Sequence, residues 1–135
     1  MDGDKRFRFQ RWLMQSRRDL KAAELLRDHG AYEWAVLSAQ LAAERVLKAY
    51  LFLQGDANIV EHSIRSLVHK CAAHSPAFDA AHDAGRLDEF YLAPRFPDDF
   101  SEEVPADAVQ PEDAGIAVEL AQLAVDVVAK FAEEE

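Results

Sequence analysis

Apolar positions recur with a helical period along nearly the whole chain. From Phe9 to about His29, Leu13, Leu20, Ala23 and Leu26 fall at helical spacing, with Arg17, Arg18, Lys21 and Arg27 between them. His29-Gly30 then reads as a stop. A second segment runs from Tyr32 to about Gln54. At about 100° per residue, Ala35, Val36, Ala39, Ala43, Val46, Leu47, Tyr50 and Leu53 form one broad apolar face. Leu37, Leu41 and Phe52 fall on another side, so this helix is expected to be covered from both sides, by other helices of the bundle or by a second subunit. Gln40, Glu44 and Lys48, four apart, draw a narrow polar stripe between those sides.

The remaining elements are shorter. Gly55-Asp56-Ala57-Asn58 is a loop, and Ser63 is the N-cap of a third helix with Ile64, Leu67, Val68 and Cys71 on its apolar face. Pro76 to Leu92 is a less regular helical segment carrying Phe78, Ala81, Leu87, Phe90 and Tyr91. Residues 93–110 hold Pro94, Pro97 and Pro105 among acids and read as a loop. A last helix starts near Pro111-Glu112-Asp113, with proline in its first turn and acids at the positive end of its dipole, and presents Ile116, Leu120, Leu123, Ala124, Val127 and Phe131. No strand pattern emerges. The expected fold is all-α: an antiparallel up-and-down bundle of four to five helices in a single domain over 1–135, with its core at about 9–131.

Composition narrows the function classes. The 135 residues are 50% hydrophobic with a net charge of −10, which argues against generic binding along a nucleic-acid backbone. That charge is uneven. Residues 1–54 carry ten Lys/Arg and seven Asp/Glu, whereas 55–135 carry five and eighteen. Such asymmetry points to self-association, to a charged partner, or simply to two solvated faces. The single cysteine, Cys71, cannot form an intramolecular disulfide and lies on an apolar helix face, as an inert thiol would. There is no apolar signal core and no apolar run near the ~18 residues of a membrane span, so a cytoplasmic protein without membrane contact is expected.

Catalytic and metal motifs are sparse. The five histidines, 29, 62, 69, 74 and 82, show no zinc-protease spacing, and neither a glycine-rich phosphate loop nor a nucleophile elbow is present. No metal or cofactor is expected. Two constellations stand out. Glu44 and Lys48 have the favourable order for an i, i+4 ion pair, and their apolar flanks make an unpaired charge costly there. Tyr91-Leu92-Ala93-Pro94-Arg95-Phe96-Pro97-Asp98 sets an arginine between prolines and aromatics. It can aim a guanidinium at a phosphate, or pin a loop by bonding a carboxylate such as Glu44.

These residues together resemble the HEPN domain family. Ala31-Tyr32-Glu33-Trp34-Ala35 followed by Gln40-x-x-x-Glu44-x-x-x-Lys48-Ala49 is similar to that family's second helix. His62-Ser63-Ile64 is similar to the start of its third, and Tyr91 with Arg95-Phe96-Pro97-Asp98 to its Arg-Tyr-Pro-Asp motif. The order agrees from about Trp12 to Phe131. The resemblance implies an up-and-down bundle that forms homodimers and binds a nucleotide or RNA. It also implies a minimal nucleotidyltransferase as partner, often in a toxin–antitoxin pair. The residues expected to line a binding cleft are Glu44, Lys48, His62, Tyr91, Arg95 and Asp98. Some members are metal-independent ribonucleases marked by an Arg and a following His with four to six residues between them. No Arg stands at that distance before any of the five histidines, and Phe96 lacks the hydroxyl of the usual Tyr. The expectation is therefore a non-catalytic binding protein. A ribonuclease with an atypical site and a purely structural dimerisation module are the alternatives.

Overall fold

The computed structural model describes residues 2–91, 94–95 and 103–133. Among these every regular element is helical, with no strand. In chain order they are α1 (Asp2–Asp28), α2 (Tyr32–Leu53), α3 (Ile64–Ala72), a 3₁₀ segment (Pro76–Phe90), α4 (Pro105–Ala108), α5 (Pro111–Ala129) and a closing 3₁₀ turn (Lys130–Glu133).

The two long helices end alike. At α1, Ala31 N–H donates to Leu26 carbonyl (2.9 Å) and Gly30 N–H to Arg27 carbonyl (3.2 Å). At α2, Asp56 N–H donates to Leu51 carbonyl and Gly55 N–H to Phe52 carbonyl, both at 3.0 Å. This is the Schellman closure, and it needs a left-handed residue, supplied by Gly30 (φ 84°) and Gly55 (φ 103°). The first glycine turns α2 back along α1.

α2 is the central helix. It packs against α1, α5 and α3. Ala35, Ala39, Ala42, Ala43 and Ala49 on α2, with Ala114, Ala117, Ala121 and Ala124 on α5, are fully buried. Small side chains let the helix axes approach closely, and the larger residues fill the ends. Tyr50 meets Phe78 at 4.5 Å and Phe131 at 4.8 Å between ring centroids. The expected second apolar side of α2 is only partly covered. Trp12 packs edge-on against Phe52 at 4.9 Å, whereas Leu41 stays exposed.

Two boundaries differ from the expectation. α1 begins at Asp2, nearly two turns before Phe9. Tertiary contacts hold these turns: Arg6 donates to Phe131 carbonyl (2.9 Å), and the Arg8 guanidinium sits 3.6 Å over the Phe52 ring. The acidic loop contains a short helix, α4, nucleated by Pro105 in its first turn. Other starts agree. Ser63 Oγ accepts from Ser66 N–H (3.1 Å), and at α5 the Asp113 carboxylate accepts from Gln110 N–H (2.9 Å). No helix among the described residues is long and apolar enough to cross a membrane.

Cys71 is fully buried under α2, its Sγ 3.5 Å from the Leu47 carbonyl. Burial, with a smaller contribution from Asp56, pushes its thiol up to about 12. Since the thiolate is the nucleophile, native protein at pH 8 should react with a disulfide reagent at least about 100-fold more slowly than a free thiol. Reaction should become fast in denaturant. Rapid labelling of the folded protein would contradict the buried placement.

Candidate functional site

The polar stripe of α2 faces the junction of α3, the 3₁₀ segment and the chain after it. Lys48 Nζ donates to Glu44 Oε2 at 3.0 Å, and both side chains are largely buried. The loop after α2 brings His62 Nδ1 to 3.2 Å from Glu44 Oε1. The imidazole is 64% exposed, so its Nε2 edge stays accessible while Glu44 holds the other edge.

The third member of the stripe does more. Gln40 is buried, and its Nε2 donates to the Leu87 carbonyl at 2.8 Å. Its Oε1 accepts from Arg95 Nη1. The same Nη1 donates to the Tyr91 carbonyl at 3.0 Å, and the guanidinium lies 4.0 Å over the Tyr91 ring. One neutral side chain on α2 therefore fixes both the 3₁₀ segment and Arg95. Both bonds use Nη1, which leaves Nε and Nη2 without a partner among the described residues.

Asp88 closes the assembly from the 3₁₀ side. Its carboxylate accepts from Ser63 Oγ (2.8 Å), Ile64 N–H (2.7 Å) and Arg65 N–H (3.1 Å). These amides are orphan donors at the α3 N-terminus, where a negative charge also complements the helix dipole. Gly85 permits the close approach, since a Cβ there would meet Arg65 Cα at 3.2 Å. Pro76–Phe90 runs fifteen residues as 3₁₀ turns. Such turns seldom persist beyond about four residues, so the packing of Phe78, Ala81, Ala84 and Leu87 and these two polar clamps must hold it.

Between His62, Ser63, Asp88 and Tyr91 lies an open cleft of about 310 Å³. Of the expected residues, His62 and Tyr91 line it, whereas Glu44 and Lys48 connect to it through His62 and Arg95 through Tyr91. Arg95 bonds an amide and a carbonyl rather than the Glu44 carboxylate. Asp98 lies outside the described residues. Asp88 and the bridging role of Gln40 escaped the sequence reading. Gln40 carried a signal in its i, i+4, i+8 register with Glu44 and Lys48, but a cap supplied from more than twenty residues away leaves no local pattern. Among the described residues no group of His, Cys, Asp and Glu is placed to hold a metal ion.

Comparison with known proteins agrees with this architecture. The profile of the HEPN domain matches residues 9–131. The crystal structure of TT1696 from Thermus thermophilus superposes with a TM-score of 0.78 at 31% identity, covering 91% of this chain and 97% of that one. That of ST0689, an archaeal HEPN homologue, gives 0.74 at 28% identity, covering 93% and 98%. No curated protein shows significant similarity to the chain.

Replacing Gln40 by Ala strands the Leu87 carbonyl and one Arg95 donor. An unsatisfied buried group costs about 1–3 kcal/mol, so Gln40→Ala should lower unfolding stability by that amount in a urea titration. An unchanged midpoint would show that the amide clamps nothing.

Proposed function

The chain belongs to the HEPN domain family, and on that premise we propose that it binds a nucleotide or the end of an RNA strand in the cleft of His62, Ser63, Asp88 and Tyr91, without cleaving it. The observation that carries this reading is the pairing of Tyr91 with Arg95 at the cleft edge. A guanidinium packed on one side of the ring, with Nε and Nη2 unpartnered among the described residues, offers a stacking surface and a phosphate donor together. The volume of about 310 Å³ sits at the lower limit of small-molecule sites, which suits a single nucleotide unit. Glu44 orients His62, while Lys48, buried against Glu44, balances that carboxylate. Asp98 joins this set by its place beside Arg95 in sequence. The absence of the family's Arg-x4–6-His arrangement supports binding over cleavage.

A second reading, a metal-independent ribonuclease, draws on the Glu44–His62 contact. A carboxylate-held imidazole whose Nε2 has no partner among the described residues is the arrangement general acid–base catalysis uses. In either reading we place the protein in the cytoplasm beside a minimal nucleotidyltransferase, as part of a toxin–antitoxin or defence pair. We also place it as a homodimer, with Trp34 (59% exposed) and Leu41, seven residues apart on one stripe of α2, as the contact.

Titration with fluorescent nucleotides should give saturable binding that falls about ten-fold or more, about 1.4 kcal/mol, in Tyr91→Ala and in Arg95→Ala. Equal affinity in all three proteins would sink the cleft assignment. RNA cleavage in EDTA that His62→Ala abolishes would select the ribonuclease instead. In light scattering, wild type should run as a dimer and Trp34→Glu as a monomer. A dimer that survives Trp34→Glu would refute the α2 contact.

A further inference from the structure

On the outer side of the bundle, α1 carries a second feature. Phe7, Arg11, Met14, Arg18 and Leu25 are spaced four, three, four and seven residues apart, so all five lie on one stripe about 60° wide. Phe7 is 63% exposed, Met14 62% and Leu25 49%. Apolar residues that recur in helical register on a solvent face mark a contact surface rather than scattered exposure.

The charge of this face is unusual for the chain. From Lys5 to Arg18 there are six cations and no acid, in a protein of net charge −10. Asp19, the next residue, is occupied by Arg45 at 2.8 Å. Arg17, Arg18 and Lys21 have no carboxylate within ion-pair distance among the described residues, and Arg11 only leans over the Phe7 ring at 5.7 Å. Two hollows of about 640 and 600 Å³ flank the Met14–Arg18 ridge and share those two residues. One is closed by Lys21 and Ala132, the other by Arg45.

We propose that this face of α1 docks an acidic amphipathic helix of a different protein. Its apolar stripe would lie against Phe7, Met14 and Leu25, and its flanking Glu or Asp would meet Arg11, Arg17, Arg18 and Lys21. A helix of about 18 residues, roughly 27 Å long, matches the span from Phe7 to Leu25 and fits its ridges into either hollow. Met, Arg and aromatic residues at the centre of a patch are the composition of protein interfaces. A single RNA strand would use the cations but leave Met14 and Leu25 unexplained. A second copy would set this cationic stripe against itself in a two-fold dimer, or form an open-ended array if its acidic half were the target. The inference stands on α1 and is independent of the cleft.

The test uses the full chain and three fluorescein-labelled probes: a designed helical peptide with a Leu face flanked by Glu, the same peptide with Lys for Glu, and a single-stranded RNA oligonucleotide. The Glu peptide should bind saturably, and the Lys peptide should not. Arg11→Glu/Arg18→Glu and Met14→Ser should each weaken the Glu peptide ten-fold or more. Their melting temperatures should match wild type, because these side chains are exposed. Tyr91→Ala should leave peptide binding unchanged, which separates this result from any failure of the cleft reading. Absence of saturable Glu-peptide binding overturns the proposal. So does equal affinity in the α1 variants, or RNA binding that the Arg11→Glu/Arg18→Glu change removes. A wild-type dimer that Met14→Ser dissociates would assign the face to a second copy and also overturn it.

Discussion

A buried neutral amide organises this bundle. Gln40 sits on the central helix among alanines and valines, where a polar group is tolerated only when its hydrogen bonds are made. It makes two, to the Leu87 carbonyl and to Arg95. The first anchors a 3₁₀ segment that its own geometry would not sustain, and that segment in turn carries Asp88 to the start of α3. The second holds a guanidinium beside Tyr91. The cleft walls therefore depend on one side chain that does not line the cleft.

Electrostatics follow the same economy. In a chain of net charge −10 most of the positive groups act locally. Lys48 and Arg95 are tied to α2 and the cleft edge, and Arg45 to Asp19. The exception is α1, where six cations follow one another without an acid and several keep no partner among the described residues.

Much of the fold was legible in the sequence because helical periodicity, glycine stops and caps are local signals. Tyr32 to Leu53, the Ser63 cap, the Pro111 start and the irregular segment from Pro76 all follow from neighbours within a few positions. The early start of α1 did not, because Arg6 and Arg8 are held by residues far along the chain, Phe131 and Phe52. The site was legible in part. Glu44 and Lys48 are an i, i+4 pair that any helix would bring together, whereas the meeting of Gln40 with Arg95, 55 residues apart, exists only in the folded chain. In the loop-pinning alternative Arg95 was matched with a carboxylate such as Glu44, but it meets the Gln40 amide, and Glu44 instead bonds Lys48 and His62.

The most direct test of this account is a double-mutant cycle on unfolding stability with Gln40→Ala, Arg95→Ala and the pair. If Gln40 clamps Arg95 to the central helix, the two losses should fall short of additivity by a coupling of about 0.5–3 kcal/mol. Additivity within about 0.5 kcal/mol, the behaviour of independent sites, would contradict it.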